Sequence, residues 1–228
     1  KVLNIYYISW AVDTPCCQLY YRKLDNDKEF IFVYDKAVTN CLKKQGVENV
    51  FHMPVAVNMT RIKKKAQKDN FIADVSFVGG LTVSEIRNDF LQGLRENTVS
   101  EISKIIEKQN NYIDKYIIKD LITDELSDKI SKESGIEIKA KNLVVYITMR
   151  ELIAFLVARE QSYIERANFA KEFEKRFDFK VYGNDEWKKY INCYEGFAEH
   201  FEQMPDIFNR SKINLNIIRT YVESGLPM

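Results

Sequence analysis

Two aspartates, a glycine pair and two arginines hold the settings in this 228-residue chain that suit proton transfer or anion binding. Asp13 and Asp35 each fall just after a stretch patterned as a parallel strand, the edge at which open α/β sheets place their ligands. A carboxylate there can accept a hydroxyl proton as a general base, and it can equally cap a turn. Farther on, Asp74-Val75-Ser76-Phe77-Val78-Gly79-Gly80 reads as a buried strand running into two glycines. Gly79 and Gly80 would let the backbone approach a phosphate closely, and a helix opening just beyond would add unpaired N–H groups and a positive dipole end. Thr82 or Ser84 can cap that helix, which puts Arg87 in its first turn. A cation there opposes the helix dipole by up to about 1 kcal/mol. Its placement is explained by an anion bound beside it, through paired guanidinium–phosphate hydrogen bonds, or by an ion pair with Glu85 or Asp89.

Tyr182-Gly183-Asn184-Asp185-Glu186-Trp187 closes a later strand, where an aromatic face and freed backbone groups can hold a planar base or simply pack into a core. Arg219 and the Ser224-Gly225-Leu226-Pro227 loop follow the last strand and are expected on the same sheet edge as Gly79. An arginine there can neutralise a departing diphosphate, or face solvent.

Other residues point away from metals, membranes and nucleic acid. Asp25-Asn26-Asp27 matches an Asp-x-Asp metal-holding pattern, but it precedes a strand in a polar turn between Lys23 and Lys28, so no metal role is expected of it. His52 and His200 are the chain's two histidines and have no partner at ligand spacing. Cys16, Cys17, Cys41 and Cys193 form no Cys-x-x-Cys pair, which suits neither a disulfide framework nor a zinc site and implies a reducing, cytoplasmic setting. With 34 basic and 33 acidic residues the net charge is +1, so no global field attracts nucleic acid or an anionic membrane. Residues 143–158 form the longest apolar stretch, but Arg150 and Glu151 interrupt it and a membrane span needs about 20 mainly apolar residues.

The elements that must position these residues alternate. Strands are expected over 3–9, 30–34 and 49–53 with a helix over 37–45, the rhythm of a parallel α/β sheet. Three strands make about half of a doubly wound domain, so a partner half is expected upstream and the chain reads as part of a longer protein. Lysine-rich residues 61–73 read as a linker. A second domain is expected over 74–228. Within it, Ile102, Ile105, Ile106, Tyr112, Ile113, Tyr116 and Ile117 carry helical spacing, helical signal continues to Gly135, and helix fills 142–176. Residues about 97–176 therefore form a helical insertion before the α/β rhythm returns with strands at 179–182 and 213–217, the short element around 194–197, and a helix at 204–210.

Several blocks together resemble the spore-maturation, CgeB-like glycosyltransferases. They are Trp10-x-x-Asp13-x-Pro15, Phe32-Val33-Tyr34-Asp35, His52-Met53-Pro54-x-Ala56-x-Asn58, Val75-Ser76-Phe77-Val78-Gly79-Gly80 with Arg87, and Tyr182-Gly183. Glu202-Gln203-Met204-Pro205-x-x-Phe208, Ser211-Lys212-Ile213-Asn214-Leu215-Asn216-Ile217 and Gly225-Leu226-Pro227 continue the match, and the Ser-Lys-Ile-Asn-Leu-Asn-Ile block is its most specific part. The resemblance implies a GT-B fold of two Rossmann-type domains, with residues 1–60 ending the acceptor-side domain and 74–228 forming most of the donor side. It implies metal-independent transfer from a nucleotide-diphosphate sugar, a uridine diphosphate sugar being the expected donor, to an unidentified acceptor. Gly79, Gly80 and Arg87 would then lie near the phosphates, Tyr182 and Gly183 near the base, and Arg219 near the donor; Asp13 would face the interdomain cleft, and its role as base is inferred from its strand-end position and not from the resemblance. Residues 218–223 read Ile-Arg-Thr-Tyr-Val-Glu where the family favours Thr-Leu-Arg. A non-catalytic binding module on the same fold, or a helical scaffold built on residues 97–176, are the competing expectations.

Overall fold

The computed structural model describes residues 4–14, 16, 19, 27–56, 70–81, 90–112, 115–138 and 147–224. The protein is α/β, with two wholly parallel sheets compatible with a Rossmann-like arrangement. Its contacts divide it into two units: Lys1–Ala56, Phe90–Ala158 and Ile218–Met228 form the first, Val57–Asp89 and Arg159–Ile217 the second.

The first unit carries β1 (Tyr7–Ala11), β2 (Glu29–Val33), α1 (Lys36–Lys44) and β3 (Val50–His52), in sheet order β1-β2-β3. The strand alternation of β2 turns Ile31 and Val33 inward, and they meet Leu42 of α1, Val47, Val50 and Leu19 in one aliphatic core. Asp35 starts α1 because its Oδ1 accepts from the Ala37 amide at 2.9 Å. At the open edge, β1 leaves Ile8 69% exposed, and Ile5, Tyr6, Tyr7, Trp10 and Val12 are exposed as well.

The helices of this unit are α2 (Glu96–Asn110), α3 (Ile118–Leu121), α4 (Asp124–Ser134) and the start of α5 (Met149–Glu174). The helical spacing that predicts one helix through Ile117 is cut at Asn110. There the buried Gln109 accepts from the Ile117 amide at 2.8 Å and donates to Lys115 O at 2.8 Å, so its side chain takes over backbone groups that a continuing helix would pair. Thr123 caps α4 by accepting from Leu126 N, and Gly135 ends it in the left-handed region at φ 71°. Thr148 and Glu151 form a reciprocal capping box at the head of α5. No helix among the described residues is long and apolar enough to cross a membrane.

The second unit holds β4 (Ala73–Val78), the rest of α5, β5 (Phe179–Tyr182), a 3-10 turn (Asp185–Lys189), β6 (Tyr194–Gly196), α6 (Gln203–Asn209) and β7 (Ser211–Leu215). Its sheet order is β6-β5-β4-β7. From β4 the chain builds β5 and then β6 on one side and returns to lay β7 on the other. Val75 and Phe77 pack on one face against Tyr163 and Ala170 of α5, with Val181 and Trp187. On the opposite face the fully buried Ser76 donates to Asn214 Oδ1 at 2.7 Å.

Candidate functional site

The order β6-β5-β4-β7 reverses direction at β4, which makes the carboxyl ends of β4 and β7 a topological switch point, the place where open parallel sheets bind ligands. Gly79 and Gly80 leave β4 there, and Gly183 leaves β5 beside them. The Gly79 amide donates to Tyr182 O at 2.8 Å, so the two loops begin as an extension of the ladder. Gly183 must be glycine because a Cβ would run into the Gly79 carbonyl oxygen and lie 2.9 Å from the Trp187 ring nitrogen. Trp187, wholly buried, donates from Nε1 to Gly79 O at 2.8 Å. Asn184 pairs with Leu81 twice, accepting from its amide at 2.9 Å and donating to its carbonyl at 2.7 Å.

Arg166, from the middle of α5, closes this edge. Its guanidinium donates to Gly80 O at 2.9 Å and to Ile217 O at 2.6 Å, spanning the loops after β4 and β7, and it stands over the Phe77 ring at 5.5 Å. The glycine pair is thus a packed turn whose amides at Gly79 and Leu81 already donate within the protein.

Past the end of β5 and β6 lies an open depression of about 390 Å³, lined by Gly183, Asn184, Asp185, Lys188, Tyr194, Glu195, Gly196 and Phe197. Phe197 offers its ring to solvent at 78% exposure. The Tyr194 hydroxyl, with one proton to give, lies 3.0 Å from both Gly183 O and Asp185 Oδ1. Lys188 pairs with Asp185 at 2.9 Å, and this hydrogen bond, followed by that of Tyr194, holds the Asp185 carboxyl below the usual carboxylate range. Burial first, then Asp185, pushes the Tyr194 phenol up. The result is a shallow, open depression with an exposed aromatic wall and charged groups at its rim.

Neither family models, curated sequences nor solved structures match this chain.

Four of the sequence-predicted site residues, Gly79, Gly80, Tyr182 and Gly183, meet at this edge of the second unit. Tyr182 is half-buried and its phenol is raised, mainly by burial and then by Glu195. Arg87 lies outside the described residues, as do Thr82, Ser84, Asp25, Asn26 and the glycine and proline of residues 225–227.

Asp13 and Arg219 belong to the first unit. Asp13 is exposed just past β1, near Tyr34, whose phenol is raised by burial first and then by Asp35, Asp13 and Tyr221. Thr14 sits close enough to that hydroxyl to offset part of the rise, yet its Oγ1 is buried outside hydrogen-bonding geometry. Arg219 donates to the Tyr221 hydroxyl at 2.6 Å, and Tyr221 is clamped edge-on by Phe155 at 4.8 Å. The His52 ring lies 3.1 Å from Tyr34 O, a main-chain contact rather than a ligand site. Among the described residues no three His, Cys, Asp or Glu side chains gather as a metal site. Cys193, half-buried beside Glu174, has its thiol pushed up to about 12, mainly by burial, and is a poor nucleophile.

Sequence reasoning missed Arg166. It lies three residues after Tyr163 and four before Ala170, on the stripe that α5 turns to the sheet, and a lone arginine on an apolar stripe is the signal that would have found it.

Proposed function

We propose that the chain is part of a GT-B-type, CgeB-like glycosyltransferase that binds a nucleotide-diphosphate sugar, a uridine diphosphate sugar in the first instance, without a metal and in the cytoplasm. The observation that carries this reading is the strand order of the second sheet, with the glycine-lined loop after β4 opening at its switch point and packing against the loop after β5. The depression beside Tyr194 and Phe197 is assigned to the nucleoside base, which its exposed ring and polar rim suit. Because the amides of Gly79 and Leu81 are engaged internally, the diphosphate falls to residues beyond Leu81, Arg87 above all. Asp13, exposed at the edge of the first sheet, is the assigned base for the acceptor hydroxyl.

A thermal-shift screen with uridine, guanosine, adenosine and thymidine diphosphates and their sugar conjugates, with and without magnesium, tests it. One nucleotide at about 100 times its Kd should stabilise the protein by about 2.7 kcal/mol, with or without magnesium, and Arg87→Ala should abolish the shift. A protein indifferent to every nucleotide at millimolar concentration removes the donor-site reading.

A further inference from the structure

We propose that Asp35 and the N-terminal amide of α1 form a hydroxyl-binding site for a polyol, the vicinal diol of a sugar or ribose, and that the Ser224 side chain occupies it as an internal stand-in. The Ser224 hydroxyl donates to Asp35 Oδ1 at 2.8 Å, and the Ala37 amide points at Ser224 Oγ at 3.1 Å while also bonding Asp35 Oδ1 at 2.9 Å. A hydroxyl is the group that uses both: its proton goes to the carboxylate and its lone pair takes the helix N–H. A phosphate would meet the carboxylate's charge at the same point and is disfavoured.

Capping α1 employs one carboxylate oxygen. The other, Asp35 Oδ2, is buried without a hydrogen-bond partner, in a residue only 1% exposed. A cap alone would be served by Ser or Asn, which leave no such acceptor behind. A second hydroxyl on the neighbouring carbon of a ligand would supply the donor that Oδ2 lacks, one hydroxyl to each oxygen. Asp35 and Asp13 both act on the Tyr34 phenol, an acidic, hydroxyl-bearing neighbourhood that suits a neutral, hydroxylated ligand, and the α1 dipole steadies the Asp35 charge. The carboxyl end of the second strand of a parallel sheet is also where dinucleotide-binding folds place the acid that holds a ribose hydroxyl, so the position is chemically apt. Ser224 reaches this point from 189 residues away in sequence, so a ligand must displace it to bind.

The test does not need the transferase reading, and a negative nucleotide screen would leave it standing. The Ala37 amide resonance is followed by NMR while methyl β-ribofuranoside, its 2-deoxy analogue, glucose and myo-inositol are titrated into the wild-type, Ser224→Ala and Ser224→Ala/Asp35→Asn proteins. Asparagine retains the helix cap, so the double variant keeps α1 while it loses the charge and exchanges the unmet acceptor Oδ2 for an amide donor. Removing Ser224 should tighten binding of at least one vicinal diol roughly two- to ten-fold, the worth of one displaced hydrogen bond. The deoxy sugar should lose most of that affinity, and the double variant should show no saturable shift. An Ala37 amide that responds to none of the diols in Ser224→Ala, or that responds equally in the double variant, overturns the proposal.

Discussion

At the carboxyl edge of the four-stranded sheet, Trp187, Asn184 and Arg166 each donate to a main-chain carbonyl of the strand-end loops. At the same edge of the three-stranded sheet, Asp35 is buried with one oxygen left without a donor. The first arrangement is closed: glycines let backbones touch, and side chains meet the carbonyls this exposes. The second is stabilised by an aliphatic core below it but keeps an unmet acceptor at its rim, at a cost of about 1–3 kcal/mol. A preformed frame and a rim with an unmet acceptor suit different tasks, one holding its shape and the other open to a further donor.

The contrast breaks most visibly at Trp187. Trp187→Ala empties the centre of the second core and orphans Gly79 O, and should cost about 3–5 kcal/mol. Hydrogen exchange should then lose protection in β4 and β5 while α1 and β2 keep theirs; equal loss everywhere would show one cooperative unit instead of two. Leu42→Ala is the mirror experiment, with about 2–5 kcal/mol and the loss confined to β2, β3 and α1.

Glycines sharpen the difference at a smaller scale. Gly183→Ala drives a methyl into the Gly79 carbonyl and should cost about 1–3 kcal/mol in urea melts. Gly46→Ala meets no atom within 4 Å, so its cost should be only the backbone penalty of φ +92°, about 1–2 kcal/mol.

The smallest expected effect is on pH dependence. Asp74, Glu172, Asp185 and Glu199 in the second unit have carboxyls held low by their hydrogen-bond partners, whereas in the first unit Glu133 is the described carboxyl so placed. A depressed folded pKa gives stability that is present above the unfolded value of about 4 and is lost as pH falls through the folded one. Glu165, raised by burial, acts in the opposite sense. Acid titration followed by hydrogen exchange should loosen β4 and β7 before β2. Because the Asp74, Glu172 and Asp185 side chains are exposed, added salt should shrink the gap.

Periodicity and glycine placement made most of the frame legible. The strand expected over 179–182 is β5, and the expected helices at 37–45 and 204–210 match α1 and α6 to within a residue at each end. The helix predicted past Asn110 failed because spacing records which residues are apolar, not that Gln109 will seize the backbone of the next loop. At the site, strand-end glycines were visible, yet the reason for them was not. Gly183 answers to a carbonyl more than 100 residues away, which no local pattern encodes. Arg166 was hidden for the same reason, its partners Gly80 and Ile217 lying 86 and 51 positions distant.

That separation governs how the second sheet assembles. The Ser76–Asn214 hydrogen bond that ties β4 to β7 joins residues 138 apart, so β7 can dock only after a long loop has closed against its chain entropy. Until it arrives, β4 presents an unpaired edge. Refolding should therefore show a late, slow phase, and the interval before it is when the newly made chain is most exposed to aggregation and most in need of a chaperone.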